Sequence, residues 1–294
     1  MRGENKVIYF CADDYGLCDQ VSYHIRQGIH NGGLNKVSVF PNFDIPDLNS
    51  ICETNEVRLS LHLNLVEGKC MANREEINLL VDKNGNLKHR FGGLFRLWLF
   101  RTPQLEEQLY REIKAQVLFW NQHLPKGVPF CIDSHQHTHM IPAVFRALVR
   151  VLTEENIALH YMRIPAEPVL PYLKTPSLYP TYQPANLLKQ WLLNFLWQIN
   201  QTQSNAKNIP TSLFMGILFS GKMDEKRVRK ILPKYQKIAE KKGLDIEVLF
   251  HPGYLSEPIR GLAENNIVFQ KFYYSKNRKT EFDSVMKLSE RGVL

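Results

Sequence analysis

The chain has 294 residues, of which 44% are hydrophobic and 11% aromatic, so it can bury a substantial core and is not a disordered tail. Its formal net charge of +8 comes from 37 basic and 29 acidic residues, and the basic residues occur in short, interrupted groups. This distribution is typical of solvated helix surfaces, so we expect no nucleic-acid partner.

The cysteines and the apolar stretches indicate the cellular compartment of the protein. Five cysteines form no Cys-x-x-Cys pair, and an odd number without a disulfide framework indicates a reducing compartment. The first residues, MRGENKVIYFCADD, become polar too early for a signal peptide. The most apolar stretch, residues 187–199, is too short to span a bilayer. We therefore expect a cytoplasmic protein without stable membrane insertion, in which this stretch is a helix packed on the domain, with a helix at a membrane surface as the alternative.

Short apolar segments that resemble buried strands alternate along the chain with segments of helical periodicity. In chain order, the strands are predicted in KVIYFCADDYG, KVSVF, RLSLHLNLVEG, PFCIDSHQHTH, ALHYMRIP, SLFMGILFSG and DIEVLFHPGY. The clearest amphipathic helix runs from about Leu105 to His123, and the helix after the histidine-rich segment begins near Pro142, a favourable first-turn residue.

This alternation predicts an α/β protein with a mostly parallel sheet. Six or seven repeats over this length favour a barrel or partial barrel over an open sheet. No linker divides the chain, so we predict a single domain over residues 1–294, with excursions at about 72–103 and 168–200.

Unusual polar residues fall at the ends of the predicted strands. Asp13 and Asp14 end the first strand, His62 lies in the third, the group from Asp133 to His139 ends a later strand, and His251 follows the last. Because active sites of such folds lie at the carboxyl ends of the strands, we expect these groups to converge. Imidazole and carboxylate ligands together suit Zn²⁺ and similar ions, and a carboxylate-rich or hydrated site also accepts Mg²⁺.

The stretch IDSHQHTH places Asp133, His135, His137 and His139 at alternate positions, which predicts that they line one face of a β-strand. Alternate Cβ atoms are about 6.5 to 7 Å apart, whereas metal–nitrogen bonds measure about 2.0 to 2.1 Å. At most two neighbouring imidazoles can therefore bind one ion, so the four groups must have different roles.

Four motifs occur in an order that resembles the YdjC-like carbohydrate deacetylases, which include the chitooligosaccharide deacetylases. They are CADDYGL, LHLNLVEG, IDSHQHTHMIP and FHPGY, and softer similarities extend the resemblance over about residues 6–285. The resemblance implies a distorted (β/α) barrel. It also implies a hydrolase that uses a divalent metal ion, Mg²⁺ or Zn²⁺, to remove acetyl groups from N-acetylated sugars.

The resemblance also implies roles for individual residues. Asp14, His62 and His135 match the metal ligands, Asp13 matches the general base, and His251 matches the histidine that protonates the leaving amine. The remaining candidates are our own interpretation of residues near these positions, which would support the metal ligands from behind or contact the substrate. Asp133 is expected to orient a ligand or a site histidine. His137 and His139 are expected to line the sugar pocket or hold the loop, with direct binding of the metal as the alternative, and Arg163 and Tyr254 are expected to contact the substrate.

Two departures from the family pattern are Ser60-Leu61 and Lys69-Cys70-Met71. The second lies near the expected rim of the substrate site and bears on sugar specificity more than on chemistry. The main alternative is another metal-dependent amidohydrolase or phosphoesterase on a similar barrel, although those enzymes usually place a His-x-His pair on the first strand. A catalytically silent sugar-binding protein is the alternative from another class. The sequence leaves a homodimer open.

Overall fold

A parallel sheet of seven strands forms the centre of the computed structural model, which describes residues 6–44, 48–52, 57–203, 208–256 and 271–290. The strands are β1 (Ile8–Tyr15), β2 (Lys36–Val39), β3 (Arg58–Leu63), β4 (Phe130–Ser134), β5 (Leu159–Met162), β6 (Leu213–Met215) and β7 (Ile246–Phe250). Their order in the sheet is β5-β4-β3-β2-β1-β7-β6, and every pairing is parallel.

Helices connect these strands and cover the sheet. They are α1 (Asp19–His30), α2 (Asn49–Cys52), α3 (Phe91–Leu99), α4 (Leu105–His123), α5 (Pro142–Glu154), α6 (Leu170–Leu173), α7 (Pro184–Asn200), α8 (Glu225–Lys242) and α9 (Lys276–Glu290). None of these described helices is long and apolar enough to cross a membrane. The bounds of α4 and the start of α5 at Pro142 confirm the two helix predictions.

The sheet curls until its two edges approach each other. Beside the β5 edge, the Met162 N–H donates a hydrogen bond of 2.9 Å to the carbonyl of Pro210, which lies just before β6. The curling also lets strands that are not neighbours touch on the concave side, where the Lys36 ammonium of β2 lies 2.7 Å from the Glu247 carboxylate of β7. The prediction of a distorted α/β barrel with parallel strands is thereby confirmed.

The inside of this half-barrel is polar, unlike the apolar layer between sheet and helices. Arg163 is fully buried there, and its Nε donates a 2.6 Å hydrogen bond to Glu247, which also accepts one from the Tyr161 hydroxyl. Removing one partner of a buried ion pair typically costs about 3–5 kcal/mol, because the other charge stays buried and unpaired. The strands therefore surround a network of paired charges that leads directly to the carboxyl edge of the sheet.

The histidine-rich segment is not the strand that its alternation predicted. Strand β4 ends at Ser134, and His135–Met140 forms a tight turn in which Gln136 and His137 have positive φ values of 53° and 58°. Positive φ reverses the direction in which successive side chains point, so the prediction of one shared strand face for Asp133, His135, His137 and His139 is wrong. The predicted strand SLFMGILFSG is likewise shorter, because only Leu213–Met215 pairs in the sheet.

Candidate active site

Two consecutive aspartates at the end of β1 both belong to the site. In a regular strand, neighbouring side chains point to opposite faces. Here the pairing register between β1 and β2 shifts between Ala12 and Tyr15, and Asp14 has a positive φ of 74°. Such a bulge redirects one side chain, and a non-glycine residue in this conformation is characteristic of functional sites. As a result, Asp13 and Asp14 both line the same cavity.

His62 and Asp133 are aligned by the sheet itself. They are directly paired residues of the parallel neighbours β3 and β4, and His62 Nδ1 lies 2.6 Å from Asp133 Oδ1. The other oxygen of Asp133 accepts a 2.6 Å hydrogen bond from the Ser38 hydroxyl. A carboxylate that binds one imidazole nitrogen orients the ring and leaves the other nitrogen for a metal. The Nε2 of His62 points to Asp14, 3.5 Å from Oδ1.

Asp14, His62 and His135 form a buried group whose ligand atoms all lie within 4.8 Å of one another. His135, the first residue of the turn after β4, places its Nδ1 3.2 Å from Asp14 Oδ1. His62 Nε2 and Asp14 Oδ1 are buried without a well-oriented hydrogen-bond partner in the described part of the chain. One carboxylate and two imidazoles are a ligand set suited to a divalent ion, with positions left open for other ligands. The residues therefore fit a metal.

A second group of potential ligands, Asp13, His62 and Asp133, lies beside the first. The guanidinium of Arg163 already occupies it, because its nitrogens lie 2.8 Å from Asp13 and 3.4 Å from Asp133. A metal ion placed there would meet this fixed positive charge at short range. The group that contains Asp14 and His135 is therefore the better candidate.

The electrostatic environment of the site favours positive charge. Burial alone would lower the pKa of His62, but the carboxylates of Asp13, Asp133 and Asp14 outweigh it and raise the pKa to about 10. For His135 burial prevails and lowers the pKa, which favours the neutral imidazole that metals bind.

Asp13 forms a bidentate ion pair with Arg163. Its Oδ1 and Oδ2 each lie 2.8 Å from a terminal nitrogen of Arg163. Burial alone would raise the pKa of Asp13, but the positive charge of Arg163 outweighs it and lowers the pKa below its usual value. Asp13 is therefore an ionised carboxylate of fixed orientation at neutral pH.

His251 follows the end of β7 and also lines the cavity. Its backbone N–H donates a 2.6 Å hydrogen bond to Glu281 of α9, and its ring Nδ1 lies 3.5 Å from the same carboxylate oxygen. Helix α9 also supplies Arg278, whose Nη2 lies 2.8 Å from Asp14 Oδ2. Glu281 and Arg278 were missed in the sequence because α9 carries no recognisable motif and meets the strand ends only in the fold.

The structure places the remaining predicted site residues in different surroundings. His137 lines the cavity. His139 is fully buried, and its two ring nitrogens contact the Ser134 hydroxyl and, at 2.8 Å, the Arg163 carbonyl, so it holds the turn. Arg163 itself is fully buried among carboxylates, a position that gives no support to the predicted contact with substrate. Tyr254 stacks on His24 of α1 with ring centres 3.9 Å apart, a position that gives no support to a substrate contact.

The cavity lined by Asp13, Asp14, His135, His137 and His251 measures about 280 Å³. This volume is close to the lower end of small-molecule sites, at roughly 300 Å³. Besides the predicted residues, its walls include several that sequence reasoning missed, namely Glu67, Arg90, Gln136, Lys189, Ser220 and Phe272. Arg90 and Lys189 come from the two excursions, which therefore form part of the cavity wall.

The contact between Asp133 and His62 leads to a testable expectation. Asp133→Asn removes the negative charge behind the His62 ring, and loss of such an outer contact typically weakens metal affinity about 10- to 100-fold. Titration of the metal-free protein with Zn²⁺ measures the change. The matched control is Asp44→Asn at an exposed position, which should bind as the parent does. Unchanged affinity in a folded Asp133→Asn protein would rule out this orienting role.

A parallel α/β half-barrel with a carboxylate–histidine cluster at the carboxyl ends of its strands is the class of protein that this fold and site define. Residues 7–291 match the family described as YdjC-like protein, and the chain belongs to that family.

Several curated relatives share part of the sequence. A carbohydrate deacetylase of Danio rerio is 28% identical over 160 residues, which cover 54% of this chain and 50% of that protein. A carbohydrate deacetylase of Clostridium beijerinckii is 25% identical over 193 residues, which cover 63% of this chain and 73% of that protein. The carbohydrate deacetylase of Mus musculus is 26% identical, with 53% and 49% covered. The match thus spans about half the length of the vertebrate relatives.

The fold has a solved counterpart. A crystal structure of an Enterococcus faecalis V583 protein, provisionally described as a cellobiose-phosphate cleavage protein, aligns over 96% of both chains with a TM-score of 0.59. The sequences are 15% identical, so the likeness concerns the fold alone.

Proposed function

We propose that this protein is a divalent-metal-dependent hydrolase that removes the acetyl group from the nitrogen of an N-acetylated sugar, such as a chitooligosaccharide unit. The observation that carries the proposal is the buried Asp14–His62–His135 group, which adjoins a cavity that Asp13, Asp14, His135 and His251 line. Membership of the YdjC-like family and the relatives named carbohydrate deacetylases support the sugar as substrate.

Asp14, His62 and His135 would hold the ion, Mg²⁺ or Zn²⁺. A divalent ion bound there supplies a Lewis acid, which polarises the acetyl oxygen and makes a neighbouring water more acidic. The protein contributes the geometry, because Asp133 and Arg278 fix the His62 ring and the Asp14 carboxylate from behind.

Amide hydrolysis also requires two proton transfers. Asp13 is ionised at neutral pH and lies at the cavity, so it is placed to accept the proton of the attacking water. His251 lines the same cavity and is placed to donate a proton to the amine nitrogen as the C–N bond breaks. Glu281 orients His251 through its contacts with the backbone N–H and the ring. The products are acetate and the free amino sugar.

The direct test is acetate release. We expect purified protein supplied with Mg²⁺ or Zn²⁺ to release acetate from short N-acetylglucosamine oligomers, because the proposed ligands, base and acid are the groups that the reaction requires. The same protein stripped with a chelator is the control and should be inactive until metal is restored. Metal-loaded, folded protein that releases no acetate from a broad panel of N-acetylated sugars would show that the substrate class is wrong.

A further inference from the structure

Helix α7 exposes apolar side chains where a helix of a globular domain usually exposes polar ones. Leu187, Leu188, Trp191 and Phe195 are 44%, 65%, 63% and 48% exposed, and we name these four residues the apolar face. Their spacing places them within about 100° of one another around a helix that advances 100° per residue. The Trp191 and Phe195 rings stack with centres 5.7 Å apart and an interplanar angle of 4°.

The apolar face is not what attaches α7 to the domain. Leu193 and Leu196, on the other side of the helix, are buried and provide that packing. Further large apolar residues are exposed in the same part of the chain, Val169 just before α6 and Leu170 and Leu173 within it. Leu99 and Phe100 at the end of α3 are 57% and 73% exposed. Exposed groups of large apolar side chains mark sites of interaction.

The segments that carry these residues contain charges of one sign only. The chain contains 29 acidic residues, yet none occurs in residues 168–223 or in residues 83–105. The first of these segments contains four lysines, and the second contains five basic residues, among them Arg90, Arg96 and Arg101. Exposed apolar side chains on segments that contain basic and no acidic residues are complementary to the surface of a bilayer that contains anionic lipids.

The same two segments border the candidate active site. Helices α3 and α7 both contact the turn His135–Met140. Arg90, directly before α3, and Lys189 of α7 line the cavity. Lys189 lies on the side of α7 away from the apolar face. The same helix therefore has a cavity residue on one side and an exposed apolar surface on the opposite side.

We propose that the apolar face, together with the basic residues of the segments 83–105 and 168–223, docks the protein on the surface of an anionic membrane, without a spanning segment. A second copy of the chain is the less suitable occupant, because a two-fold interface would bring the same segments, which contain basic and no acidic residues, against each other. Docking would hold the cavity beside the bilayer, within reach of a sugar carried on a lipid. That last consequence rests on the proposed function, whereas the docking itself does not.

Vesicle co-sedimentation tests the docking without any substrate. We expect the full chain to sediment with vesicles of equimolar phosphatidylglycerol and phosphatidylcholine, and much less with phosphatidylcholine alone or at high salt, where charge attraction is screened. The double variant Leu188→Gln/Trp191→Gln should bind roughly ten-fold less, because it replaces two exposed apolar side chains by polar ones. The matched control is Tyr23→Gln on α1, an aromatic residue of similar exposure at 53%, which should bind as the parent does.

Tryptophan fluorescence provides a second measurement of vesicle binding. Binding should shift the emission to shorter wavelength in the parent, and Trp191→Phe should lose most of that shift while it keeps its binding. Three results would overturn the inference: no sedimentation of the parent, undiminished binding of the double variant, or equal binding to both vesicle types. A fourth result would also overturn the inference: the parent is a dimer, the double variant is a monomer, and neither of them binds vesicles. That result would identify a second copy of the chain as the occupant of the apolar face.

Discussion

Asp13→Asn should retain the metal and lose turnover by roughly 10²- to 10⁴-fold, the contribution typical of a positioned general base. The amide has nearly the shape of the carboxylate but cannot take a proton from water. Arg163 keeps Glu247 at 2.6 Å and Asp133 at 3.4 Å as negative partners, so we expect the variant to fold. Acetate release and metal content should be measured on the same sample.

Two results would contradict this role for Asp13. Loss of the metal together with turnover would mean that Asp13 rather than Asp14 is a ligand and that the roles of the two aspartates are exchanged. Full turnover would remove Asp13 from the chemistry altogether. Asp44→Asn is again the matched control, because it makes the same change at an exposed position outside the cavity.

His62→Ala and His135→Ala should each abolish retention of the metal through desalting, and with it acetate release. Each change removes one of the three proposed protein ligands, and two ligands are fewer than the three that are typical of catalytic metal sites. Metal analysis of the desalted protein measures the effect. His160→Ala removes an exposed histidine of β5 and should leave the metal content unchanged.

The two histidine variants also distinguish between the possible ligand groups. Both groups contain His62, but only the one with Asp14 contains His135. Loss of metal in His62→Ala but not in His135→Ala would therefore assign the ion to the group with Asp13 and Asp133. Retention in both variants, with folding verified by thermal melting, would place the ion elsewhere and remove the basis of the proposed hydrolase.

Much of the architecture could be predicted from the sequence, because it depends on local patterns. The apolar periodicity of Leu105–His123 and the first-turn proline Pro142 determine helices whatever surrounds them. Regular alternation of strands and helices favours a parallel sheet, since each strand must return to the same edge before the next begins. That rule was sufficient to predict that Asp13, His62 and His251 meet, and they do lie around one site.

Local patterns failed wherever the backbone departs from regular geometry. The alternation in HQHTH indicated a continued strand, but the positive φ values of Gln136 and His137 end it and direct His139 into hydrogen bonds that hold the turn. The bulge that brings Asp13 and Asp14 into one cavity could not be predicted from the sequence either, because a regular strand directs neighbouring side chains to opposite faces.

The sequence by itself determined the order of the strands and helices and which residues reach the carboxyl edge of the sheet, because these follow from hydrophobic periodicity and chain order. Only the tertiary structure decided which of those residues touch. Arg163 became a buried partner of Asp13, and Arg278 and Glu281 joined the site from α9, more than 260 positions after Asp13. The physical reason is that pairing of buried charges depends on distances across the curled sheet, which no spacing along the chain encodes.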